Sequence, residues 1–179
     1  MRNKIISYFL MLAFIVGYNN QAISKEFFFE SEYIEIKDDG NTIEARNGVK
    51  IISNNKIEIT ANESFYNKLT SELLLKGNVI FIDTERDIKI LSKEATYIKN
   101  IEKFISNGEV IAHLANGYTL YGKNIEYSKK DKIIQSKFES TLTDKFNNKI
   151  IAANFRYSDI NKTFNGENVT MTDVNKNSY

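Results

Sequence analysis

Apolar residues recur at every second position through much of this chain. In Leu73–Ile82, Leu73, Leu75, Val79 and Phe81 share one register of two, with Gly77 between them. That is the period of a strand presenting one face to an apolar interior. Further along, Ile134, Ser136, Phe138, Ser140 and Leu142 fall on one face and Gln135, Lys137, Glu139 and Thr141 on the other. Shorter segments such as Ile57–Ile59, Ile88–Ile90 and Ile151–Phe155 carry the same β-rich composition. Helix is hard to place. Asn62–Leu75 has Phe65, Leu69 and Leu73 at four-residue steps, yet Thr70-Ser71 and the alternation that follows favour strand, turn, strand.

The pattern also repeats. Asn47-Gly48-Val49, Gly77-Asn78-Val79, Asn107-Gly108-Glu109-Val110 and Gly166-Glu167-Asn168-Val169 stand about thirty residues, or a multiple of that, apart. Polar turns divide the chain into five units, Glu26–Asn55, Lys56–Asp87, Ile88–Gly117, Tyr118–Asn148 and Lys149–Tyr179, each with an early Tyr: Tyr33, Tyr66, Tyr97, Tyr127 and Tyr157. A unit of this length holds two strands, so the expectation is an all-β fold of about ten antiparallel strands stacked as a ladder, with a Gly motif at each bend. Its inner faces would carry Leu75, Val79, Phe81, Phe104, Val110, Ala112, Leu120, Phe138, Leu142 and Phe155. The end strands would leave open edges, near Phe27, Phe28 and Phe29 at one end and Val169 and Met171 at the other, where another chain can add a strand.

Composition narrows the setting. Pro is absent and Gly scarce, so Asn, Asp and Lys supply the turns, at Lys37–Asn41, Asn54-Asn55, Lys99-Asn100, Lys129–Lys132 and Asn147-Asn148. Asn and Asp tolerate left-handed backbone, which suits them to this use. Residues 1–24 read as a signal peptide, with Arg2 and Lys4 as the n-region, Ile5–Gly17 as a short apolar run and Ala22-Ile23-Ser24 before the expected cleavage. An uncleaved anchor is the alternative, and either form places residues 25–179 outside the cytoplasm. Removing Arg2 and Lys4 from the 24 basic residues leaves 22 against 23 acidic ones, which gives no electrostatic case for nucleic acid. No Cys is present, so neither a disulfide nor an N-terminal lipidated Cys contributes.

The recurring strand, polar turn and Gly-Asn-Val pattern resembles the OstA-like (LptA and LptD) family of lipopolysaccharide transport proteins. The residues that carry it are Ile57–Ala61 with Tyr66 and Gly77-Asn78-Val79, then Ile88–Ser92 with Tyr97 and Gly108-Glu109-Val110. The opening Phe27–Ile36 is more similar to the family's form that precedes an outer-membrane barrel, the length of the chain to its free-standing periplasmic form. Two departures stand out: Phe138-Glu139-Ser140 where Gly-Asn-Val is expected, and an additional residue in Gly166–Val169. The resemblance implies a periplasmic β-jelly roll, free or associated with the outer membrane, whose apolar groove shelters lipopolysaccharide acyl chains. It also implies head-to-tail strand addition to like modules of the inner-membrane and outer-membrane transport components. The ten inner-face residues would line the groove, and Phe27, Phe28, Phe29, Val169 and Met171 would meet those partners.

Enzymatic chemistry has little support in the residues. His113 is the single His, flanked by Ala112 and Leu114 as on the outer face of a strand, with no matched nucleophile. Asp83, Glu85 and Asp87 have the spacing for a cation site, but Arg86 and Lys89 beside them suggest a solvated turn between units. No phosphate loop, Cys/His metal spacing or nucleophile elbow occurs, so neither cofactor nor metal is expected. A different class, a secreted or cell-surface β-solenoid adhesin, would also stack strands, although its parallel rungs call for Gly or Asn at closer spacing.

Overall fold

The structure is a computed structural model that describes residues 27–174; the expected signal peptide over residues 1–24 lies outside them. Thirteen strand segments form one continuous sheet: β1 (Phe27–Lys37), β2 (Thr42–Ser53), β3 (Ile57–Ala61), β4 (Glu63–Asn67), β5 (Glu72–Asp83), β6 (Ile88–Ile98), β7 (Lys103–Leu114), β8 (Tyr118–Lys123), β9 (Glu126–Ser128), β10 (Ile133–Ser136), β11 (Ser140–Thr143), β12 (Lys149–Ser158) and β13 (Thr163–Thr172). Three pairs, β3 with β4, β8 with β9 and β10 with β11, are halves of a single rung, because each pair faces one long neighbour. Ten rungs result, as the repeat arithmetic predicts. The unit boundaries drawn from the sequence fall in the turns after β2, β5, β7 and β11, and Asn62–Leu75 is strand, turn, strand. Every strand pairing among the described residues is antiparallel, which a solenoid of parallel rungs does not have.

Rungs bend near their middle, and Gly and Asn motifs mark several of these bends. Gly77 and Asn78 have positive φ at the register shift between β5 and β6, and Gly108 does so opposite the shift between Ser92 and Glu94. Neighbouring bends are tied together. The Asn62 amide donates to the carbonyls of Lys76 (3.1 Å) and Gly77 (2.8 Å), and the Gly108 amide donates to Asn124 Oδ1 at 2.7 Å. A Cβ on Gly108 would meet nothing within 4 Å, but its φ of +79° is left-handed; one on Gly77 would also lie 2.5 Å from Asn62 Nδ2. Gly108→Ala is therefore expected to lower unfolding free energy by about 1–2 kcal/mol, with Gly77→Ala costing more because Asn62 must move as well. Urea denaturation of the two variants checks the order.

Folding at the bends brings two half-sheets face to face, and in each an inward row runs through all ten rungs. The first row runs Phe29, Ile51, Ile59, Phe81, Ile90, Ala112, Leu120, Leu142, Ile150, Met171, one residue per rung and each opposite the next. The second runs Ile36, Ile43, Tyr66, Leu73, Tyr97, Phe104, Tyr127, Ile134, Tyr157, Phe164 in the same way. Four of the five repeated Tyr thus occupy equivalent places on alternate rungs. Tyr33 does not; beyond the irregularity between Ser31 and Tyr33 it is exposed opposite Arg46, whose guanidinium lies 5.9 Å from its ring.

Candidate functional site

The two rows meet in an apolar trough filled by its own side chains. Phe81 is central, with ring centroids 4.6 Å from Phe104, 5.7 Å from Tyr127 and 5.8 Å from Tyr97. Phe27 continues the cluster against Tyr66 (5.0 Å), and Phe164 stacks on Phe155 (5.9 Å) toward the other end. Of the ten inner-face residues expected from the sequence, Leu75, Val79, Phe81, Phe104, Val110, Ala112, Leu120, Leu142 and Phe155 are buried on this interior. Packing of aromatic on aliphatic accounts for their burial without a ligand.

Phe138 is a correction: it lies outside the trough and is 48% exposed. Residues 137–139 carry the bend between β10 and β11, and two buried serines hold it. Ser136 Oγ donates to the Lys123 carbonyl at 2.6 Å and accepts the Phe138 amide at 3.0 Å, while Ser140 Oγ donates to the Phe138 carbonyl at 3.2 Å. Alternation on either side of the bend keeps Ile134, Ser136, Ser140 and Leu142 inward, but the bend itself turns Phe138 out.

Among the described residues, no strand covers the trough at either end: β1 pairs only with β2 and β13 only with β12. On their inward faces Ile36 is 64% and Met171 47% exposed, with Ile34 and Val169 exposed beside them. Phe27 and Phe29 are half-buried, and Phe28 is exposed on the opposite face. Apolar residues therefore extend along the inside to both free edges.

One inward position of β5 carries a charge. Asp83 follows Val79 and Phe81 on the same face of β5 and is fully buried, so the expectation of a solvated turn fails at this residue. Its carboxylate accepts hydrogen bonds from the Tyr127 hydroxyl (2.6 Å) and Lys129 Nζ (2.9 Å); Lys129 also donates to Glu85 at 2.7 Å, and Arg86 approaches Asp83 at 3.4 Å. Burial pushes the Asp83 carboxyl up, but the hydrogen bonds from Tyr127 and Lys129 more than reverse this, holding it below the usual carboxylate value. The hydrogen bond to Lys129 likewise lowers Glu85. Burial raises the Tyr127 hydroxyl, helped by Asp83, and raises Tyr97 to about 12. A 46-residue separation hides the Asp83–Lys129 pair from local pattern reading; the only sequence signal is an acid in phase with inward apolar positions. His113 is exposed on the outer face beside Thr119, as expected.

These shifts fix the sign of the pH response. An ordinary Tyr ionises near pH 10, so above that the unfolded chain loses protons that Tyr97 and Tyr127 keep when folded. Their stabilisation is full below about pH 10 and is lost as pH rises toward the folded values. Asp83, lowered when folded, stabilises above about pH 4 and ceases to as pH falls through its folded value. Urea midpoints should thus form a plateau across neutral pH and decline on both sides, the alkaline decline shrinking in Tyr97→Phe. A midpoint unchanged from pH 9 to about 11.5 would contradict the burial of these hydroxyls.

No protein-family profile matches the chain, and no curated protein matches it in sequence. Among solved structures it is similar to LptH of Pseudomonas aeruginosa, described as the LptA homologous periplasmic component of the conserved lipopolysaccharide transport device. The two share 14% identity with a TM-score of 0.54, over 62% of this chain and 80% of that one. At this identity the likeness concerns the fold: the chain is an LptA-like β-jelly roll, a many-stranded antiparallel sheet folded on itself.

Proposed function

We propose that this protein is a periplasmic lipopolysaccharide-transport component, binding the lipid by its acyl chains between the two half-sheets and passing it toward the outer membrane. The observation that carries this reading is the pair of facing apolar rows, unbroken through ten rungs and, among the described residues, uncovered at both end strands, in a fold shared with LptH. Burying a methylene is favourable by about 0.8 kcal/mol, so a row of Phe, Leu and Ile side chains holds acyl chains without specific polar contacts. Because the trough is filled by its own side chains, lipid takes the place of contacts between the rows, and the half-sheets move apart to admit it. Exchange of one apolar contact for another keeps binding loose and release easy, as passage requires. The free edges of β1 and β13 suit strand addition to like modules at the two membranes, with Phe27, Phe28 and Phe29 at one edge and Val169 and Met171 at the other.

Acyl chains, and not sugars, should then govern binding. Intact lipopolysaccharide and lipid A are expected to compete with each other for the purified protein, while the fully deacylated saccharide competes at least about 100-fold more weakly. Displacement of a fluorescently labelled lipopolysaccharide measures this. Equal competition by the deacylated saccharide would overturn the reading.

A further inference from the structure

The folded ladder is built differently along its two long sides. One side is the line of bends, where Gly77, Gly108 and Asn124 have left-handed backbone. Along the other the hairpin tips of the two half-sheets meet. Backbone hydrogen bonds at the tips run within each half, from the Thr84 amide to Lys56 and from the Lys129 amide to Glu102. What crosses between the halves is polar side chains. Lys99 Nζ lies 4.6 Å from the centre of the Phe27 ring, Asn55 Nδ2 donates to Glu102 Oε1 at 2.8 Å, and Lys129 and Tyr127 grip Asp83.

We infer that this seam is the gate of the trough: acyl chains are admitted sideways when the Asp83–Tyr127–Lys129 clasp parts, with the Gly and Asn bends as the hinge. The inference rests on the acyl-binding reading above and adds how the site opens. Three features favour it. The clasp joins the Asp83 end of β5 to β9 and the turn after it, which lie in opposite halves, and no ladder pairs β5 with β9. It replaces an apolar contact at an inward position, where a hydrophobic side chain would hold the halves as well but could not be loosened by water. An ion pair behaves differently: closed and dry, its attraction is strong, whereas once the seam opens water solvates both charges and the closing force falls. A buried charge pair at the tips thus gives two states, shut or open, where an oily seam would reseal.

The absence of Cys allows a direct test. Asn55→Cys with Glu102→Cys places one thiol on each side of the seam, to be bridged by a short reversible bis-thiosulfonate reagent; the probe is cis-parinaric acid, a fluorescent fatty acid. Bridging is expected to slow probe uptake by about tenfold or more, with recovery on reduction, and Lys129→Met to hasten it by about the same factor. Should Lys129→Met unfold, Tyr127→Phe, which removes one hydroxyl from the clasp, replaces it. Uptake by the bridged protein at the unbridged rate would overturn the gate and assign loading to the open ends. Should the unmodified protein take up no probe, the acyl-binding reading fails, and hydrogen exchange then judges the seam alone. The amides of residues 84 and 129 should exchange about tenfold faster in Lys129→Met, with the amide of Gly108 unaffected; equal exchange would overturn the clasp.

Discussion

Phe81→Ala is expected to lower the unfolding free energy by about 3–5 kcal/mol, the range for removing a fully buried aromatic ring. Phe81 is the residue where the two rows meet. It lies between Ile59 and Ile90 in its own row and touches the rings of Tyr97, Phe104 and Tyr127 across the interior. Its loss leaves a cavity bounded by both half-sheets, which cannot collapse without shifting the bends. Phe138→Ala removes the same atoms from an exposed bend and should change stability by no more than about 0.5 kcal/mol. Urea denaturation of the two variants measures the contrast; equal losses would mean that the interior is elsewhere.

Lys129→Ala ranks second, with an expected loss of about 3 kcal/mol. Asp83 would remain buried with the Tyr127 hydroxyl, the Glu85 amide and the more distant Arg86 to satisfy it. Those remaining contacts place the effect at the low end of the range for orphaning a buried charge. Removing both charges, as in Asp83→Leu with Lys129→Met, should recover most of the loss, because the desolvation of Asp83 disappears with its partner. A double variant as unstable as Lys129→Ala would show that the seam depends on these side chains for shape and not for charge. The Lys129→Ala variant should also be less sensitive to acid, since protonating Asp83 relieves it of an unpaired charge.

Most of the architecture is written in periodicities. The thirty-residue spacing of the Gly motifs gives the rungs, the register of two gives the inner faces, and the five units end where hairpins turn. Several bends are legible because positive φ favours Gly and Asn, and these recur in phase. What alternation does not encode is which inward faces share one interior. That two rows from different halves face each other follows from the bends, and Phe138 shows the consequence: a strict alternation read straight through a bend places it inside, when the chain between Ser136 and Ser140 turns it out. Asp83 is hidden for a different reason. In the sequence it belongs to an acidic turn; in the fold it is the last inward residue of β5, and its partner comes from another unit. The Tyr repeat holds a further signal, since Tyr66, Tyr97, Tyr127 and Tyr157 mark one inward row.

That lipid chains lie between the two rows is tested most directly by light-induced crosslinking from defined faces. Benzoylphenylalanine replaces Ile36 or Met171, on the inward face at the two ends, or Ile111 or Tyr121, exposed on the outward face, and each variant is irradiated with lipopolysaccharide. Crosslinked lipid at Ile36 and Met171, with none above background at Ile111 and Tyr121, is the predicted result. Crosslinks confined to the outward positions, or equal on both faces, would contradict it.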